Sequence, residues 1–230
     1  MMLNPRKTLT FMLAASLAST IGGLPFNTLP ILLGALADSF SFAPSQIGLL
    51  GSVCFSGYLV GTLVAVGFID RCNWRVLTFG CALGAALALL ASSLLPAQAQ
   101  LPLWALIGFF AALMTCLGLR IMAEMPNKER AFGIRQGIEL GLVALVLFVL
   151  PSLVISHFHY AGAALVLAAM ILLLSLSAFA LPRRSDFAVK TGLAEESSLQ
   201  GRFRFPVPAY WALGFFFVFG AGQIGLWAFL

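Results

Sequence analysis

The chain has 230 residues, 61% of them hydrophobic and only 9% charged, with a mean hydropathy of +1.02. A soluble domain carries about 25% charged residues, so a water-soluble globule is excluded and the backbone must pair within helices or a closed barrel in lipid. The net charge of +5 does not point to nucleic acid, because in a bilayer the placement of positive charge decides more than its sum.

The apolar runs are around 20 residues long, which suits membrane helices and not the roughly 10-residue alternating strands of a barrel. The expected fold is therefore all-α and polytopic. In chain order the runs cover 9–37, 46–69, 76–95, 101–123, 132–156, 160–181 and 207–230. Arg6 and Lys7 precede the first run as they would a signal peptide. That run far exceeds a signal core of about 7–15 residues, so it reads as a retained helix. It is also too long for one straight pass, and Gly22, Gly23, Pro25 and Pro30 predict a kink facing protein or a cavity. Pro44 and Ser45 open the second run with helix-start chemistry. Pro96, Pro102, Pro126 and Pro182 punctuate the later connections. Glycines at four-residue spacing (Gly57 and Gly61, Gly80 and Gly84, then Gly133, Gly137 and Gly141) predict close helix packing.

Lysine and arginine orient the runs. Arg6 and Lys7 precede the first, Arg71 and Arg75 follow the second, and Lys128, Arg130 and Arg135 stand around the start of the fifth. Arg183, Arg184, Lys190, Arg202 and Arg204 fall between the sixth and seventh, while the connections after the first, third and fifth contain neither residue type. By the positive-inside rule the N-terminus and the polar segment 182–206 are cytoplasmic. The expected organisation is a six-helix bundle over 1–181, a cytoplasmic linker over 182–206, and over 207–230 the first helix of a second bundle. The last run stops at Phe229-Leu230 without a closing loop, so a missing C-terminal half is expected.

Around the end of the second run the sequence reads VGFIDRCNWRVL. The second run opens APSQIGLLGSVCFSGYLVGTL, and the fourth leads into the fifth through EMPNKERAFGIRQG. These segments resemble the major facilitator superfamily: its Asp-Arg signature between helices 2 and 3, its glycine-spaced second helix, and its acid–proline–arginine–AFG connection. The resemblance covers the whole chain, although Val66, Asn73 and Trp74 replace signature residues. It implies a twelve-helix transporter of two pseudo-symmetric halves with a central site. It also carries the signature aspartate onto Asp70, its neighbour onto Arg71 and the last basic position onto Arg75. Asn73 stands at the turn glycine as a residue that tolerates the left-handed region. Glu124 matches an acid that pairs with those arginines. The expectation is a cytoplasmic charge cluster of Asp70, Arg71, Arg75, Glu124 and Arg130 that latches and releases helices during alternating access; the competing reading is separately solvated charges.

Inside the runs, Arg120 either snorkels or pairs structurally, or it contacts an anionic substrate. Glu139 either pairs with Arg135 one turn away or serves as the proton-coupling carboxylate. The polar groups Asn27, Thr28, Thr115 and Gln223 lie on runs that the resemblance places around the central cavity, with Phe26, Tyr58, Trp211 and Trp227 as apolar walls. The run GLVALVLFVLP lacks the family's antiporter glycines, which weakens a drug-export reading. The four cysteines read as packing residues. His157 and His159 have no metal-type partners and read as loop residues at an outer helix end. No Walker lysine motif or HExxH is present, so neither cofactor, metal nor enzyme chemistry is implied. The expected function is secondary active transport of a small solute, with protons as the coupling ion. A non-transporting scaffold or receptor, or an inactive transporter fragment, is the alternative. Short outer loops and the lack of an Asn-x-Ser/Thr sequon suit a bacterial inner membrane by resemblance.

Overall fold

The computed structural model describes residues 5–125 and 127–181, with positions 210, 211, 214, 215 and 218. The chain divides into two compact units, Met1–Asp186 and Phe187–Leu230, and the architecture below is that of the first. Segment 182–206, Gln223 and Trp227 lie outside the described residues. Among the described residues there is helix and turn but no strand, as the length of the apolar runs implies.

The first run is two helices, α1 (Pro5–Asn27) and α2 (Leu29–Phe40). Pro25 and Pro30 each remove a backbone N–H from the ladder. Hydrogen bonds nonetheless cross the joint, from Thr28 N–H to Leu24 O and from Leu32 N–H to Thr28 O, both at 3.0 Å. The helix therefore bends at Thr28 without unwinding. α2 ends on Ser41 in the left-handed conformation (φ 55°), the usual way to stop a helix.

α3 (Pro44–Phe68) starts with Pro44 in its first turn and Ala43 as cap. Ser45 is not the capping residue; Gln46 accepts the Ala43 N–H through Oε1 at 2.9 Å. A short turn over Ile69–Arg71 leads to α4 (Trp74–Leu94), with Asn73 before it. Asn73 is not left-handed: it is extended (φ −75°, ψ 114°) and accepts the Arg75 N–H on Oδ1 at 3.0 Å. Capping an orphan N–H is the stronger local use of an asparagine side chain. Asn127 does the same for α6 by accepting the Arg130 N–H at 3.0 Å.

α5 covers Gln100–Ala123 and α6 covers Lys128–Val149. A wider turn over Leu150–Ile155 joins α6 to α7 (Ser156–Ser175), and His159 breaks the helical geometry at φ 53°, ψ −152°. Among the described residues five stretches are apolar and long enough to cross a bilayer, and the last runs 53 residues from Lys128 to Ala180. At 1.5 Å per residue that is about 80 Å of helix, against roughly 30 Å of hydrocarbon. The stretch therefore holds two passes, divided near His159, which agrees with the expected gap between the fifth and sixth runs.

α1 packs against α5, α6 and α7, while α3 packs on α5, and α4 on α5 and α7. Glycine sets the closest approaches. A Cβ on Gly57 would collide with the Ala105 carbonyl, and one on Gly108 with the Cys54 carbonyl. Gly61 lies against Phe109 and Ala112, and Gly84 against the Phe110 ring. The expectation of close packing fails for the other members of the stripes. Gly80, Gly133, Gly137 and Gly141 have nothing within 4 Å of a Cβ, because they sit on outward faces of α4 and α6.

Candidate functional site

Two charged constellations stand out among the described residues. The first is buried between α1 and α6. Arg135 and Glu139 are one turn apart on α6, 7% and 6% exposed. Their Nη2–Oε2 distance is 2.7 Å. The guanidinium also donates through Nε to Ser19 Oγ at 2.7 Å and through Nη1 to Gln136 Oε1 at 3.1 Å. On the other side of the carboxylate, Asn27 Nδ2 donates to the Gly23 carbonyl at 2.8 Å and approaches Glu139 Oε1 at 3.4 Å. A Cβ on Gly23 would stand 2.5 Å from Glu139 Cδ and Oε1, so a larger residue there would make the carboxylate shift. Each charge thus has a counter-charge and further hydrogen bonds, the condition under which a buried pair is tolerated.

Beside this pair, Tyr58 interacts with Thr115 and lies in the electrostatic field of Glu139 and Arg135. Phe26 closes the same region, its ring 5.2 Å from Phe55 and 5.3 Å from Tyr58 between centroids. Asn27, Thr115 and Glu139 are therefore brought into one neighbourhood. Thr28 is not part of it: fully buried, it donates its hydroxyl to Leu24 O at 2.7 Å within its own helix.

The second constellation ties the end of α3 to the end of α5. Arg120 Nε lies 2.9 Å from Asp70 Oδ1, and Arg120 Nη1 lies 2.9 Å from Glu124 Oε1. The composition of the expected charge cluster is thereby corrected. Arg120 supplies the bridging cation, while Arg75 turns away and donates through Nε to the Leu181 carbonyl. There it caps the negative end of the helical segment that follows α7. Arg71 and Arg130 form no ion pair among the described residues. Arg120 sits four residues before Glu124, one turn on the same face, and this local spacing wins over the longer reach to Arg75. Ser19 carries no charge and is not singled out by the sequence, and Gly23 is singled out there only for the kink. The signal available was the cluster Ser16, Ser19, Thr20, Gly22 and Gly23 inside an otherwise apolar run.

A family model described as the Major Facilitator Superfamily matches residues 9–230. The chain belongs to this superfamily. It is an integral, multi-pass membrane protein of a family that transports small solutes. No curated protein and no solved structure matches it.

In this superfamily member the Asp70–Arg120–Glu124 group lies at the ends of the spans, where its ionisation can be followed. Burial pushes the Glu124 carboxyl above its ordinary value; Arg120 pulls it back down and Asp70 pushes it up again. The folded protein therefore holds this proton at pH values where the unfolded chain has already lost it. The resulting stabilisation is present below the unfolded-state pKa and is lost as pH rises through the folded one. Thermal unfolding in detergent should show the wild type gaining stability over Glu124→Gln as pH falls through the range just above an ordinary carboxylate. Parallel curves for the two proteins would rule out the shift.

Proposed function

We propose that this protein is a proton-coupled secondary transporter of a small solute and that Glu139 is the carboxylate that takes up and releases the coupling proton. The observation that carries this reading is the buried Arg135–Glu139 pair, at 2.7 Å, with Asn27 on the second carboxylate oxygen. Protonating Glu139 would remove the charge that holds Arg135 Nη2, leaving the guanidinium on Ser19 and Gln136 and open to an incoming anionic group. One proton then exchanges one internal pairing for another, the kind of bistable element alternating access needs.

The reading has a matching arrangement at the membrane edge. Asp70, Arg120 and Glu124 hold α3 to α5 and serve as a latch that must open when the bundle rocks. Lys and Arg placement puts this edge, and the N-terminus, in the cytoplasm. Residues 1–181 form the moving six-helix bundle, 182–206 the cytoplasmic linker, and 207–230 the opening helix of a second bundle. A bacterial inner membrane suits this arrangement.

The experiment is solute flux in proteoliposomes of the full-length protein, wild type against Glu139→Gln. Gradient-driven accumulation should be lost in the variant while solute exchange at equal pH persists. If Glu139→Gln still accumulates solute against a gradient when a pH difference is imposed, the coupling role is wrong. If neither protein shows flux across a broad solute panel, the transport reading itself fails.

A further inference from the structure

At the end of the bundle opposite Asp70, a half-open cleft of about 560 Å³ lies between the last turns of α2 and the α6–α7 junction, lined by Ala35, Asp38, Ser39, Ile155 and His159. Its polar groups share one character. Asp38 is a carboxylate, an acceptor only when ionised. Ser39 already donates its hydroxyl to Ala35 O at 2.8 Å, so it offers lone pairs to the cleft. The C-terminal end of α2 carries the negative end of the helix dipole. His159 brings its imidazole to the opposite wall.

Asp38 also stands at the less favourable end of its helix for an acid. Residues 8–70 and 136–182, which include both walls, contain no lysine or arginine. Asp38 takes part in no ion pair among the described residues. His159, facing it, is held at φ 53°, a backbone conformation that costs about 1–3 kcal/mol in a residue with a side chain.

We propose that this cleft is a binding site for a small organic cation, a protonated primary amine. The ammonium hydrogens would be accepted by Asp38, Ser39 and His159, and the alkyl part would lie on Ala35 and Ile155. A bare metal ion fits less well: Asp38 and His159 are two ligating side chains where a zinc site uses three or four, and no group of three His, Cys, Asp or Glu occurs among the described residues. The site lies away from Glu139 and does not depend on the coupling reading.

Calorimetric titration of the full-length protein in detergent with propylammonium chloride tests the site, with 1-propanol as the uncharged isostere and zinc chloride as the metal comparison. Saturable binding of propylammonium, and none of 1-propanol, is expected. Asp38→Asn should weaken it about tenfold, the scale of one charge-assisted hydrogen bond. His159→Gln should weaken it less, and Glu139→Gln should leave it unchanged, which separates this site from the proposed coupling residue. Equal affinity in Asp38→Asn and wild type, equal binding of 1-propanol, or Asp38-dependent binding of zinc without any of propylammonium would each overturn the proposal.

Discussion

Replacing Gly108 with valine is expected to prevent α3 and α5 from closing on each other, lowering stability by about 3 kcal/mol, the upper end of overpacking costs. The Cβ position of residue 108 is already occupied by the Cys54 carbonyl, and that of residue 57 by the Ala105 carbonyl. Both obstacles are backbone, so no side-chain rotation can relieve them. The contact cannot be rebuilt at a larger spacing either, because helix association in lipid relies on close approach and not on a hydrophobic drive. Gly80→Ala is the control. It meets open space and should be neutral, or stabilising by up to ~1 kcal/mol through helix propensity. Unfolding midpoints in a denaturing-detergent titration decide between them; equal midpoints for the two variants would show that the crossing is not glycine-limited.

Glu139→Ala is expected to cost about 3–5 kcal/mol, because it leaves the Arg135 guanidinium buried without its counter-charge. Ser19 and Gln136 still accept from it, but both are neutral. Arg135→Met with Glu139→Leu removes both charges in similar volume and should recover most of the stability, since a buried pair is often replaceable by apolar residues. Transport should remain absent in the double variant, which separates folding from function at one site. A double variant as unstable as Glu139→Ala would mean that the damage arises from lost packing against Gly23 and not from the unpaired charge.

The fold was legible in the sequence because lipid imposes one strong rule: long apolar runs become helices, and Lys and Arg mark one side. The runs at 46–69, 76–95 and 101–123 correspond to α3, α4 and α5 within a few residues. The division of Lys128–Ala180 near His159 was visible as a polar gap between two runs. The bend at Thr28 was legible from Pro25 and Pro30. What could not be read was which face of each helix turns inward. Four-residue glycine spacing is the same on α3, where Gly57 and Gly61 are packed tight, and on α6, where Gly137 and Gly141 are open.

The candidate site was legible in part for the same reason. Arg135–Glu139 and Arg120–Glu124 are local pairs, four residues apart, so spacing alone suggests them. Whether Asp70 would choose Arg75 or Arg120 depends on how α3 meets α5, which is set by Gly57 and Gly108 and not by charge. Ser19 was hidden because a serine in an apolar helix ordinarily bonds to its own backbone, as Ser16 does to Met12 O at 2.8 Å.

The interior position of α1 has a consequence for how the protein is made. Within its span 67% of positions are buried in the bundle, against 22% for Lys128–Ala180. It is the helix least suited to lipid, and it is made before α5 and α6, the helices that cover it. Its neighbour α6 begins at Lys128, about 100 residues later, or roughly 5–20 s at ordinary elongation speeds. During that interval Ser19, Gly22 and Gly23 have no partners, so the translocation machinery or a chaperone must shelter the nascent helix until α5 and α6 emerge.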